Sequence, residues 1–224
     1  MEHWIDGTAI LATSFIIGQL LYTATFAIDA YLFSLPINWV KMSDARDVPE
    51  RDYPEIVLFY PVLRELESTM RTTMLSISRI KYPAGKARVI AIPNQDDLAT
   101  IASLRRLQEQ FAFLEVLEIP PTTDPSWDLI WKAWEENDKC YWWHAGRRAR
   151  VRDLPPKKTR QLIYAFYHTA AKRAGRDFLV NYIDADSAPG PEHFMAAVAG
   201  MRRYDVLQST NVAGNLNASL AASW

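Results

Sequence analysis

The feature that most constrains the fold is a regular alternation of short apolar runs with helix-periodic segments, which begins at Pro54. The runs are rich in β-branched and aromatic residues, as strands are, and between them apolar residues recur at the spacing of one helix face. The runs lie at 56–60, 89–92, 114–119 and 178–183, and a further one begins at 206–208. Strands that are apolar throughout and alternate with helices predict an α/β domain, with a mostly parallel sheet and helices on both faces.

The N-terminal segment has a different character. Thr8 to Ile28 is an uncharged apolar run, long enough to cross a bilayer as a helix. A cleaved signal peptide would carry basic residues ahead of the run, where Glu2 and Asp6 stand instead. A buried helix of a soluble domain would show a polar face, which this run lacks. We therefore predict a transmembrane helix over 8–28.

The charges that flank this helix predict its orientation. Lys41, Arg46 and Arg51 follow the run, whereas no lysine or arginine precedes it. By the positive-inside rule, the bulk of the chain is expected on the cytoplasmic side of the membrane. The predicted organisation is an N-terminal segment over 1–28, an interfacial linker over 29–53 and a soluble domain over 54–224.

Composition and the absence of certain motifs limit the kinds of partner and compartment that we can propose. The net charge of −1 gives no electrostatic reason to propose nucleic acid. The single cysteine, Cys140, cannot form an intrachain disulfide, which fits a reducing compartment. The sequence has no Walker or dinucleotide-binding glycine motif, so the commonest nucleotide-binding uses of an α/β sheet are excluded.

Residues 121–157 interrupt the alternation and are too long for an ordinary loop. This insert is rich in tryptophan, at positions 127, 131, 134, 142 and 143. Two interpretations stay open: a small helical insert that packs its tryptophans internally, and a segment that covers a membrane surface or a substrate. Its basic cluster at 147–152 would suit lipid headgroups or a diphosphate, or would form a solvated charged face.

Two aspartates, Asp184 and Asp186, directly follow the longest predicted strand. If extended backbone persists through them, both carboxylates point to the same side at the carboxyl edge of the sheet, where α/β proteins bind ligands. Two carboxylates there suit a divalent cation such as Mn²⁺ or Mg²⁺, whose shell a diphosphate and water complete. The alternative is a pair of turn or helix-capping aspartates before Pro189.

Four segments occur in a recognisable order. The opening strand reads PEIVLFYPV, the stretch KTRQL begins at Lys158, the strand before the aspartates continues as FLVNYIDADS, and Gln208 is followed by Asn211. In this order they resemble glycosyltransferase family 2, the inverting enzymes of the GT-A (Rossmann-like) fold, and especially its membrane-bound, polysaccharide-synthase-like members. The likeness covers roughly residues 54–217.

The resemblance implies a nucleotide diphosphate sugar as donor and a saccharide or lipid as acceptor, as in polysaccharide biosynthesis. It implies that Asp186, with Asp184 beside it, holds a divalent cation (Mn²⁺ or Mg²⁺). It also implies that Asp184 lies near the ribose and Lys158 near the diphosphate, with Gln208 in the same nucleotide-sugar site.

The nucleobase contact departs from the family pattern. The family usually has an aspartate pair after the second strand, where this chain has Asn94, Asp96 and Asp97. We expect the base contact among these three residues. Lys157 stands where the family has glycine.

The family's catalytic base and its Q-x-x-R-W motif are expected beyond Trp224, so no catalytic residue is assigned. The resemblance thus predicts the donor-binding half of a glycosyltransferase. One alternative is a polyprenyl-phosphate glycosyltransferase, whose anionic acceptor depends less on a base. The other is a noncatalytic, membrane-tethered fragment that binds nucleotide sugars.

Overall fold

The computed structural model describes residues 7–35, 48–137 and 151–207, and the chain divides into two compact units, Met1–Lys41 and Met42–Trp224. Helix α1 of the first unit spans Gly7–Ser34, and its residues Gly7–Leu32 are apolar enough and long enough to cross a membrane. The helix runs past the predicted end at Ile28, so the first residues assigned to the interfacial linker are helical instead. The reason is that no proline interrupts the segment before position 36.

The second unit alternates strands and helices as the sequence predicts. In chain order its elements are β1 (Glu55–Tyr60), α2 (Glu67–Ile77), β2 (Ala87–Ala91), α3 (Leu98–Gln110), β3 (Leu114–Val116), α4 (Asp128–Glu135), α5 (Lys158–Lys172), β4 (Phe178–Tyr182) and α6 (His193–Met201). The predicted α/β class is therefore confirmed. Val206 and Leu207, predicted to begin a further strand, lie in irregular backbone, and Gln208 lies outside the described residues.

The four strands form one parallel sheet in the order β3-β2-β1-β4. Phe59 in β1 pairs with Ile90 on one side and with Tyr182 on the other. The chain thus builds the sheet outward from β1 to β3 and then returns to the opposite side of β1. This reversal creates a topological switch point between β1 and β4, and the crevice at the carboxyl ends of such strands is where open α/β sheets bind ligands.

Helices cover both faces of the sheet. On one face, Leu58 and Tyr60 pack with residues of α2, α3 and α6 such as Met74, Leu104 and Phe194. The opposite face carries Val57 and Phe59, which pack against α4 and α5. Because β1 is central and buried on both sides, nearly all of its residues are apolar and none of its last five is more than 1% exposed.

The tryptophan-rich insert packs on the second of these faces. Trp127, in a 3₁₀ turn over Pro125–Trp127, is fully buried, stacks on Trp131 with 5.4 Å between ring centroids and donates its indole N–H to the Pro120 carbonyl. Trp134 donates to the Tyr167 hydroxyl at 3.0 Å. The described tryptophans therefore pack internally, one of the two interpretations of the sequence. Trp142, Trp143 and the basic residues 147–150 lie outside the described residues.

Candidate functional site

The carboxyl ends of β1 and β4 bring an ammonium and a carboxylate together. Lys158 is the first residue of α5, and its Nζ contacts Oδ1 of Asp184, two residues after the end of β4. The same ammonium lies 4.8 Å from the ring centroid of Tyr182. The side chains of Lys158 and Asp184 are 40% and 52% exposed, so both remain accessible to a ligand in the crevice.

The two aspartates lie in a turn. Ser187 N–H donates to the Asp184 carbonyl at 3.0 Å, and residues 185 and 186 form the centre of the turn. The condition of extended backbone is therefore not met, and the segment has the turn that the sequence left as the alternative, because aspartate readily begins a turn of this kind. Asp186 is exposed, and within the described residues no hydrogen bond or ion pair engages its carboxylate.

Buried hydroxyl groups fasten this turn to the rest of the domain. The carbonyl of Ala185 accepts hydrogen bonds from Tyr60 Oη at 2.6 Å and from Thr73 Oγ1 at 2.8 Å. Farther along the loop, Ser76 Oγ donates to the Pro189 carbonyl at 2.8 Å. Burial raises the pKa of the Tyr60 hydroxyl well above its ordinary value, so this group stays a protonated donor. The peptide between Asp184 and Asp186 is thus held by β1 and α2.

Asn94 lies inside the protein, 1% exposed. Its side-chain oxygen accepts from Nε and Nη2 of Arg160, at 3.2 and 2.7 Å, and its Nδ2 donates to the Pro156 carbonyl at 3.4 Å. Arg160 is itself only 7% exposed. Burial lowers the pKa of its guanidinium, an effect that the carboxylates of Asp96 and Asp153 oppose. Asn94 therefore joins the end of β2 to the segment that leads into α5.

The two aspartates near Asn94 have different surroundings. Asp97 caps α3, with its carboxylate accepting from Thr100 N–H, and it also accepts from Arg64 N–H at 2.8 Å. Burial raises the pKa of the Asp97 carboxyl, but these hydrogen bonds outweigh burial and bring the pKa below its ordinary value. Asp96 has a side chain that is 76% exposed, with Oδ1 3.9 Å from Arg160 Nη2. Of the three predicted base contacts, Asp96 is the one whose side chain faces solvent.

Arg64, which follows β1, adopts a positive φ of 53°. This left-handed conformation is costly for a residue other than glycine, and its N–H donates to Asp97. Gln161, fully buried in α5, donates from Nε2 to the Val62 carbonyl at 2.7 Å. Hydrogen bonds thus join the loops that follow β1 and β2 to each other and to the first turn of α5 at the carboxyl edge of the sheet.

Two of the side chains at this edge are carboxylates, the ligand type that a divalent cation of the magnesium type prefers. Such ions commonly take one or two carboxylates from the protein and complete their shell with phosphate oxygens and water. Asp184 and Asp186 supply two exposed carboxylates, and the ammonium of Lys158 already lies against one of them. Within the described residues no group of three or more acidic, histidine or cysteine side chains is arranged to hold a metal ion.

Sequence reasoning missed the residues that support the site. It identified Lys158, Asp184 and Asp186 from their motifs but did not single out Arg160, Gln161, Tyr60 or Thr73. Arg160, Gln161 and Tyr60 had a signal in the sequence, since they lie in the stretches KTRQL and PEIVLFYPV, whereas Thr73 had none. Gln208, predicted to lie in the nucleotide-sugar site, lies outside the described residues.

Comparison with solved structures finds several matches, and one of them, of low sequence identity, is a mannosyltransferase. No protein-family model and no curated protein matches the chain. The chain is similar to the mannosyltransferase PcManGT from Pyrobaculum calidifontis, solved in complex with GDP-Man and Mn²⁺, with 16% sequence identity and a TM-score of 0.42. The match covers 70% of this chain and 37% of that one, so the chain spans well under half the length of its structural neighbour. The function proposed below therefore rests on the geometry of the carboxyl edge.

Proposed function

We propose that this chain binds a nucleotide diphosphate sugar at the carboxyl edge of its sheet and forms the donor-binding part of a membrane-bound, inverting glycosyltransferase. The observation that supports this most directly is the contact of Lys158 with Asp184 at the switch point between β1 and β4, with the exposed Asp186 two residues farther along the same turn. An edge that presents an ammonium and two exposed carboxylates suits a ligand that carries phosphates together with a divalent cation.

Each group has a distinct role in the proposed site. The ammonium of Lys158 and the N-terminus of α5 face the negative charge of the diphosphate. Asp186 and Asp184 are the residues that would hold Mn²⁺ or Mg²⁺. When bound, such an ion neutralises charge that develops on the departing nucleotide diphosphate. Asp184 also orients the ribose, and Asp96 is the candidate contact of the nucleobase.

The transfer itself would be a single displacement. The acceptor hydroxyl, from a saccharide or a lipid, attacks the anomeric carbon as the bond to the diphosphate breaks, which inverts that carbon. The hydroxyl proton must pass to a base. We assign no such base to the described residues, so the proposal for this chain concerns donor binding.

Binding of a donor panel tests the proposal. Full-length protein in detergent would be titrated with UDP-glucose, GDP-mannose and dTDP-glucose, with and without Mn²⁺. We expect one nucleotide class to bind in a metal-dependent manner, and Asp186→Asn to weaken that binding at least tenfold. Charge-assisted contacts of this kind contribute about 1.5–3 kcal/mol.

The matched control is Asp177→Asn, the same chemical change at an exposed position just before the amino end of β4. It should leave donor binding unchanged. If Asp186→Asn binds as tightly as wild type, Asp186 is not part of the site. If folded, monodisperse protein binds none of the donors, the proposed function is wrong.

A further inference from the structure

Two buried arginines at opposite ends of α5 make the same hydrogen bonds to partners of different charge. Arg160 donates from Nε and Nη2 to Oδ1 of Asn94 at 3.2 and 2.7 Å, and Arg173 donates from the same two atoms to Oε1 of Glu55 at 3.2 and 2.7 Å. Their exposures, 7% and 8%, also match. The pair is therefore an internal comparison of one hydrogen-bond geometry with partners of different charge at the two edges of the sheet, and Arg173 in addition lies over the Phe178 ring, 5.5 Å from its centroid.

The difference in charge matters because buried ions need compensation. At the amino edge of the sheet, the carboxylate of Glu55 neutralises Arg173. At the carboxyl edge, Arg160 has a neutral amide in the same place, so its charge remains available to other groups. The carboxylate of Asp96, with Oδ1 3.9 Å from Nη2, is an anionic group within reach of that charge.

The turn that carries Asp96 is fixed at both ends. At its start, Asn94 is held by Arg160 and by the Pro156 carbonyl, and Gln95 N–H donates to the Ile119 carbonyl at 2.9 Å. At its end, Asp97 caps α3 and accepts from Arg64. Asp96 is the one acidic side chain of this turn that its neighbours leave exposed, and the Arg160 guanidinium, whose hydrogen-bonded partner is neutral, is the cationic group that attracts it.

We propose that Arg160 is a positioning residue that orients Asp96 toward the nucleobase of the donor and so determines which nucleobases are accepted. This inference rests on the proposed function. An oriented carboxylate accepts a hydrogen bond from the ring N–H of uracil, thymine or guanine. Adenine and cytosine have no N–H at the equivalent ring nitrogen, so this arrangement favours the first group of bases.

The test measures nucleobase preference in full-length protein in detergent. Dissociation constants would be determined for UDP-, GDP- and dTDP-sugars and for ADP- and CDP-glucose. The nucleobase preference is the dissociation constant for ADP- or CDP-glucose divided by that for the donor that binds most tightly. We expect Arg160→Lys to lower this ratio at least tenfold, because an ammonium cannot hold the Asn94 oxygen through two N–H groups and face Asp96 at the same time, as the guanidinium does. The Mn²⁺ concentration that gives half-maximal binding should stay unchanged.

Arg173→Lys is the matched control, since it makes the same substitution in the same hydrogen-bond geometry at the other end of α5. It should lower the melting temperature while the nucleobase preference stays at the wild-type value. An equal loss of preference in both variants would mean that Arg160 acts only through stability, and the inference would be wrong. Full preference in Arg160→Lys would overturn it as well.

Asn94→Asp tests the role of charge with Arg160 left in place. The new carboxylate would neutralise the guanidinium as Glu55 neutralises Arg173, but it would also lose the hydrogen bond that Asn94 Nδ2 donates to the Pro156 carbonyl. We therefore expect a lower preference, whatever the change in melting temperature. Wild-type preference in Asn94→Asp overturns the inference and leaves the proposed function standing. A wild-type protein that binds no nucleotide sugar overturns both.

Discussion

The ion pair of Lys158 contributes little to stability, although the residue lies in the proposed binding site. Its ion pair with Asp184 is about half exposed, and such pairs contribute about 0–1 kcal/mol to stability because water screens them. A phosphate oxygen that meets the same ammonium in the crevice forms a charge-assisted hydrogen bond of about 1.5–3 kcal/mol. The residue therefore separates the two roles more cleanly than a buried residue would.

We predict that Lys158→Gln weakens donor binding about tenfold or more and changes the free energy of unfolding by less than about 1 kcal/mol. Donor titration and chemical denaturation of the same preparation measure the two effects. Lys157→Gln is the control, since Lys157 is an exposed neighbour with the same charge. Equal weakening in both variants would show that only the overall charge of the edge matters.

At the scale of elements, β1 and α2 hold the aspartate turn through a single carbonyl. A carbonyl oxygen has two lone pairs, and that of Ala185 accepts from both Tyr60 and Thr73. Either hydroxyl alone can satisfy it, whereas loss of both leaves a partly buried acceptor without a partner. The two hydroxyls are therefore expected to be strongly non-additive.

We predict that Tyr60→Phe and Thr73→Val each cost about 1 kcal/mol of stability, and that the double variant costs about 1–3 kcal/mol more than their sum. Metal-dependent donor binding should fall in the double variant, because the peptide between the two aspartates loses its anchor. Ser76→Ala, which removes the bond to the Pro189 carbonyl, should cost similar stability and leave binding intact. If the stability losses of Tyr60→Phe and Thr73→Val simply add in the double variant, water has replaced the hydroxyl groups that donated to the Ala185 carbonyl.

The elements themselves were predictable where burial alone decides them. β1 follows from its apolar run because a strand covered on both faces admits little else, whereas β4, at one edge of the described sheet, with Val180 40% and Tyr182 56% exposed, follows from its β-prone residues. The buried face of α5 was harder to predict, since it includes Arg160 and Gln161 while Phe166 is 45% exposed. The hydrogen-bond partners of Arg160 and Gln161 are 66 and 99 residues away in the sequence, and no local sequence pattern predicts contacts at such separations.

The turn at Asp184–Ser187 shows the same limit at short range. The motif identified the right residues, but the extended geometry assumed for them depended on continuing β4 beyond Tyr182. Strand pairing ends there, and the backbone closes a turn through Ser187 N–H instead. Chemistry-bearing residues can thus be found from spacing, whereas their orientation depends on where the neighbouring strand stops supplying hydrogen bonds.

At the scale of the whole molecule, the N-terminal helix α1 bears on whether the protein is bound to a membrane. An apolar helix of this length, exposed on every described side, needs either a membrane or a partner to cover it. A membrane explains in addition why lysine and arginine follow the helix and do not precede it. We therefore propose that α1 spans a bilayer and that the α/β unit lies on the cytoplasmic side.

We predict that full-length protein stays in the membrane fraction after alkaline carbonate washing, and that a double substitution of Ile17→Lys and Leu20→Lys releases it. Each lysine near the middle of a membrane helix costs about 2.5–3.5 kcal/mol, so two exceed what the remaining apolar residues can offset. Ile17→Ala with Leu20→Ala is the control and should remain membrane-bound. Fusion of a reporter that is active only in the cytoplasm to the C-terminus tests the orientation. Release of the wild-type protein by carbonate would mean that α1 lies against a protein partner, and the membrane proposal would then be wrong.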